Sequence, residues 1–188
     1  MLGTHAHYYA KQRIPVWLGN VIETVGLAIG IFLLLVNPFL HHMLKLVLLL
    51  VAWFCFWFFS HCLTHFIVGK ILGVRFLYYF IGRSSLTKLN LPIISSLART
   101  FPVLGIKIDN TSFGSISPKK QAMVFASGAL ASMISPITIM VYAMIYLETW
   151  IGFFMSLITV GNIVFTLIFS AKVGDIFKAK RALNSRRI

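Results

Sequence analysis

Acidic side chains are nearly absent from this chain: its 188 residues hold only Glu23, Asp109, Glu148 and Asp175. A diiron carboxylate centre needs more Asp and Glu than that, and an ion-coupled transporter generally needs more ionisable groups along its pathway. Cysteine is as scarce. Cys55 and Cys62 are the only two, and on one helix their spacing puts them about 10 Å apart, beyond disulfide reach. Internal repeats, low-complexity tracts and a polar stretch large enough for a soluble domain are all missing. No interleaving of aromatic and basic residues offers a base-stacking platform, so the net charge of +13 does not point to nucleic acid.

Apolar residues are what the chain has in excess: 59% are hydrophobic and 14% aromatic, with a mean hydropathy of +0.88. This composition is that of a membrane protein. Four runs are long and apolar enough to span a bilayer, at about 16–36, 43–70, 121–146 and 150–171. The first is too long for the apolar region of a signal peptide and no cleavage pattern follows it, so it reads as a retained helix. Short turns, Asn37 to His42 and Leu147 to Thr149, make two antiparallel hairpins of the four spans. Sixteen of the seventeen Lys and Arg residues then lie on one side, with Lys45 alone on the other. The positive-inside rule assigns the basic side, and with it both termini, to the cytoplasm, where anionic lipid is the expected partner.

The connection from 71 to 120 is basic yet rich in apolar residues. Pro92 and Pro102 interrupt helix, and Arg99 is costly at mid-bilayer, so it is not a fifth span. Val74, Phe76, Tyr78 and Phe80 alternate as in a short strand, and a re-entrant or interfacial segment packed on the helices is expected. The fold class is therefore an all-α polytopic membrane protein with about four helices and a short strand-containing segment between the second and third. Residues 1–188 form one membrane domain, with an N-terminal segment and added helix at 1–42, a core at 43–183 and a basic tail at 172–188 that ends as a short surface helix.

Within the second span stands His61-Cys62-Leu63-Thr64-His65. Histidines four apart share a helix face and can offer two ring nitrogens to one metal ion, although two packed, hydrogen-bonded histidines are an equally good reading of this spacing. One haem could not take both as axial ligands, because they cannot reach opposite sides of the iron. Glu23, with Asn20 and Thr24, is the one acidic residue expected at membrane depth, and either a functional group or a partner of Asn20 or Arg75. Gly26 and Gly30, and Gly128 with Ser132, form small-residue faces suited to helix contacts. The aromatic run Trp53 to Phe59 encircles its helix, as in a lipid-exposed or tightly packed span, and Trp17 and Trp150 fit interfacial anchors. His41 and His42 fall in the outer turn and His5 and His7 in the N-terminal segment, where they carry little information.

FSHCLTHFIVGKILGVRFLYYFIG, followed by GIKIDNTSFGSISPKKQAMVFASGALASMISP and NIVFTLIFSAKVGDIFKAKRAL, resembles the site-2 proteases, the intramembrane zinc metalloproteases, over residues 55 to 183. The resemblance implies zinc held by His61, His65 and, from the last core helix, Asp175, with Gly128 to Ser132 in the place of the family's G-P-x-x-N element. The glutamate that serves the family as general base is Cys62 here, a loss expected to cost about 10²- to 10⁴-fold in rate. A Cys62 nucleophile would need an oriented base that neither adjacent histidine supplies. The implied function is a pseudoprotease that binds zinc and recognises transmembrane segments or partner proteins without cutting them. The alternatives are an active metalloprotease with another base, such as Glu23, and a structural subunit of a larger membrane complex.

Overall fold

The computed structural model describes residues 12–83, 87 and 102–184. The expected features at 1–11, 84–86, 88–101 and 185–188, including His5, His7 and Pro92, lie outside the described residues. Strand β1 (Gln12–Ile14) leads into helix α1 (Val16–Val36), a short 3-10 turn (Asn37–Phe39) and α2 (His42–Ile71). Strands β2 (Phe76–Arg83) and β3 (Pro102–Ile108) follow, then the short α3 (Asn110–Ser115), α4 (Pro118–Tyr146), α5 (Thr149–Val173) and α6 (Asp175–Asn184). Helices α1, α2, α4 and α5 are long and apolar enough to cross a membrane, and their ends fall within three residues of those expected from hydropathy. Their outward faces carry exposed Leu, Ile, Val and Phe along their length.

The helices stand in an open row, α1 against α2, α2 against α4, α4 against α5. At one end both tight turns meet, where Lys45 pairs with Glu148 at 3.7 Å. Near this end α2, α4 and α5 converge on a core of Leu49, Ala52, Ile139, Ala143, Ile151 and Met155. Toward the other end α2 and α5 separate, and α4 together with Val103 and Leu104 of β3 lines the gap. The indole of Trp53 on α2 donates to Thr159 Oγ1 on α5 at 3.0 Å and marks where the two part. Helix α6 packs on α4 at this divergent end, its Ala179 and Ala182 against Ala122.

A three-stranded antiparallel sheet in the order β1-β2-β3 lies at the same end. The small polar segment before α1 is thus a strand, which its length of three residues hid from pattern reading. The expected alternation at Val74, Phe76, Tyr78 and Phe80 holds for only half of β2. Its register against β3 shifts between Phe76 and Tyr78, and such a bulge exchanges the two faces, so Tyr79 becomes the fully buried residue. Beyond β3, Asp109 caps α3 by accepting from the backbone N–H of Thr111 and Ser112. The Thr111 hydroxyl and those amides hold its carboxyl down at about 2.

On α1 the buried residues are Gly19, Glu23, Gly26 and Gly30, one stripe at helical spacing. A Cβ at Gly26 would run into the Phe59 ring of α2, so glycine here sets the approach of the two helices. Glu23 is fully buried in this interface. Its recorded partner is not Asn20 or Arg75 but the Tyr79 hydroxyl, at 3.4 Å from Oε2, and that hydroxyl donates to Asn20 Oδ1 at 2.7 Å.

Candidate metal centre

Helix α2 presents His61 and His65 from one face toward α4, with ring centroids 4.9 Å apart. His65 is the better fixed. Its Nδ1 lies 2.6 Å from the Val124 carbonyl oxygen, with the Ser127 hydroxyl at 3.4 Å. A carbonyl only accepts, so Nδ1 carries the hydrogen and Nε2 of the neutral ring holds the lone pair. This is the arrangement by which a protein orients a metal-binding histidine. His61 Nδ1 is 2.9 Å from Ser132 Oγ on α4, and the Ser132 carbonyl is in turn held by Asn162 Nδ2 of α5 at 2.9 Å.

Helix α5 ends at Val173, and Gly174 turns the chain so that α6 begins with Asp175 beneath the two rings. Asp175 Oδ2 is 3.2 Å from His61 Nε2 and 3.4 Å from His65 Nε2, and all three donor atoms lie within 4.8 Å of one another. The ligand atoms of one tetrahedral zinc, bound at about 2.0–2.2 Å, are about 3.4 Å apart, so the spacing of the carboxylate from each ring suits that ion. With His65 neutral, its Nε2 lone pair faces a carboxylate oxygen, and either a metal ion between them or a proton on Nε2 relieves that opposition. Two imidazoles and one carboxylate form a donor set that zinc accepts, leaving a fourth position open. The other carboxylate oxygen, Oδ1, accepts from Lys178 Nζ at 2.8 Å, which leaves Oδ2 for the centre. Burial pushes the Asp175 carboxyl up, but its contacts with both histidines and the Lys178 charge outweigh this and hold it well below the usual range.

Gly128 completes the cradle. A Cβ there would collide with the His65 imidazole, so the small residue admits the ring against the α4 backbone. The small face of Gly128 and Ser132 is thus the seat of both histidines as well as a helix contact, and Ser132 is a partner of His61.

Cys62 points away from this cluster. Its thiol is buried and donates to the Leu104 carbonyl of β3 at 3.3 Å, and it sits beside Glu23. Both cysteines are free. A cavity of about 250 Å³ lies in the gap between α2 and α5. Its polar end holds His61, Ser132, Ser170 and Asp175, while Trp57, Phe58, Phe165 and Phe169, with Thr166 beside Phe165 and with Val103 and Leu104 of β3, line most of the rest. Neither Cys62 nor Glu23 lines it. Two members of the aromatic run of α2 therefore face this cavity, which the ring of aromatics around the whole helix could not single out. His41 lies at the opposite end of α2, next to the turn paired through Lys45, far from the centre. Comparison of the chain with family models, with curated proteins and with solved structures finds no match to any of them.

Proposed function

We propose that this protein is a multi-pass membrane protein of the site-2 protease kind that retains the metal centre and has lost the hydrolytic step. The observation that carries this reading is the convergence of His61, His65 and Asp175, from two elements more than a hundred residues apart in sequence, onto one point beside a cavity. Zinc bound there would supply Lewis acidity. The chain's own residues bind and orient it: Val124 and Ser132 fix the rings, and Lys178 fixes the carboxylate. What the described residues do not supply, beyond the three candidate ligands themselves, is a proton acceptor at the cavity. The residue beside His61 is a thiol turned into the wall, and Glu23, the alternative base, is shut off behind it in the α1–α2 interface. The function that remains is binding. The cavity beside the centre lies between α2 and α5, and 250 Å³ excludes an intact helix, about 10 Å across with its side chains. Recognition of transmembrane segments at the cavity would therefore require an unwound chain. The basic end of the molecule, with Lys180 and Arg181 exposed on α6, faces anionic lipid at the cytoplasmic surface.

A structural-subunit reading has one observation in its favour, since Lys178 neutralises Asp175 without a metal. The test of the proposed function uses the purified protein in liposomes with fluorogenic transmembrane peptides. No product above that of His61→Ala is expected. Cleavage that disappears in His61→Ala would contradict it.

A further inference from the structure

We infer that the cavity beside the metal centre is a binding site for one acyl chain of an anionic, single-chain amphiphile, its head at the His61–Asp175 end. The inference rests on the metal reading for the head and on the cavity alone for the tail. The polarity of the lining changes in one direction. Asp175, Gly174 and Ser170 stand where α5 gives way to α6, at the level where this helix leaves the apolar layer. From Ser170 to Phe165 the wall runs about 7 Å deeper, and from His61 to Trp57 about 6 Å deeper along α2, and there it is aromatic. The deep end is closed by the Trp53–Thr159 bond and the packed core behind it. Polar end at the surface and apolar end toward the middle is the orientation of a lipid in the leaflet of the basic side. Phe165, one of the lining residues, is itself exposed on the outer surface of α5, a surface that acyl chains would cover.

Size and polarity choose the occupant. The volume is below the roughly 300–1,000 Å³ usual for small-molecule pockets and suits a chain one methylene wide. An unwound peptide of that width would bring an amide N–H and C=O with every residue, and against these the lining sets only the Thr166 hydroxyl, the Trp57 indole N–H and the edge of β3 at Val103 and Leu104. An acyl chain brings none. At the polar end a cation held by three donors, at the end of the molecule where Lys178, Lys180 and Arg181 of α6 stand exposed, would favour a carboxylate or phosphate over a neutral head.

The test uses the full chain in detergent, with metal content measured before any ligand is added. 11-Bromoundecanoic acid is titrated against tryptophan emission, because bromine quenches an indole in contact and Trp57 lines the cavity. Quenching is expected to saturate, to need about tenfold more of the methyl ester, the difference one charge-assisted contact makes, and to be relieved by unlabelled undecanoic acid. It should be reduced in Trp57→Phe, where Trp53 at the deep end remains, lost in Thr166→Phe, which fills the cavity, and kept in Thr166→Val, with metal content equal in all. Quenching that rises linearly and equally in parent and Thr166→Phe, in protein that carries its metal, would overturn this inference and leave the metal reading intact. So would quenching relieved by an extended apolar peptide and not by undecanoic acid. An absence of metal from the parent overturns the metal reading and is seen in the first measurement, independently of the acid.

Discussion

At His65 one hydrogen bond decides the chemistry. Because Nδ1 is committed to the Val124 carbonyl, the ring can only offer Nε2, and Gly128 is what allows it to sit there. Gly128→Ala places a methyl group where the imidazole lies and should weaken zinc binding by about 10–100-fold, the range seen when the support of a metal ligand is disturbed. Helix content should be unchanged, since alanine favours helix more than glycine does. Ser132→Ala, which takes the partner from His61 Nδ1, should act in the same direction. Competition with a zinc chelator, read beside circular dichroism, measures both, and an affinity unaltered in Gly128→Ala would show that the ring is free to move. The two histidines were legible in the sequence from their spacing. Their partners were not, because a carbonyl at 124 and a glycine at 128 carry no chemical signal until a neighbouring helix brings a ring against them.

At the level of the helices, α1 explains what surrounds position 62. Its stripe of Gly19, Glu23, Gly26 and Gly30 closes on α2 and β2, and Glu23 sits fully buried beside Cys62 with Oε1 lacking a hydrogen-bond partner among the described residues. A glutamate at 62 would press a second carboxyl into that space. Cys62→Glu should therefore fail to restore a working base and should destabilise the protein by about 2 kcal/mol or more, the scale for burying a polar group without a partner. The double variant Cys62→Glu, Glu23→Leu should recover most of the loss. Thermal unfolding in detergent distinguishes the cases, and a single variant as stable as the parent would contradict the packing described. The four long helices were plain in the sequence because hydropathy over eighteen or more residues leaves little choice. The sheet was half legible: the alternation in β2 was visible, but the bulge after Phe76 and the pairing of β1 depend on partners distant in the chain. Asp175 reached the site reading only through the family resemblance, for its lysine-rich neighbourhood reads equally as a solvated helix start.

Over the whole molecule the helices make a row that is packed at one end and parted at the other. The parted end holds the sheet, α6 and the candidate metal ligands, and the proposed orientation turns it toward the cytoplasm. Phe39 is 87% exposed at the packed end and Leu183 is 48% exposed on α6, whereas Cys55 and Cys62 are buried. In sealed cells a membrane-impermeant maleimide should label Phe39→Cys and not Leu183→Cys, with the parent unlabelled; the reverse pattern would invert the molecule.

The retained metal centre is the claim on which the rest depends. Elemental mass spectrometry of the purified protein, beside His61→Ala and Asp175→Ala, tests it directly. The account predicts close to one zinc per chain in the parent and its loss in both variants. A parent protein free of metal, or one whose metal survives both substitutions, would contradict it.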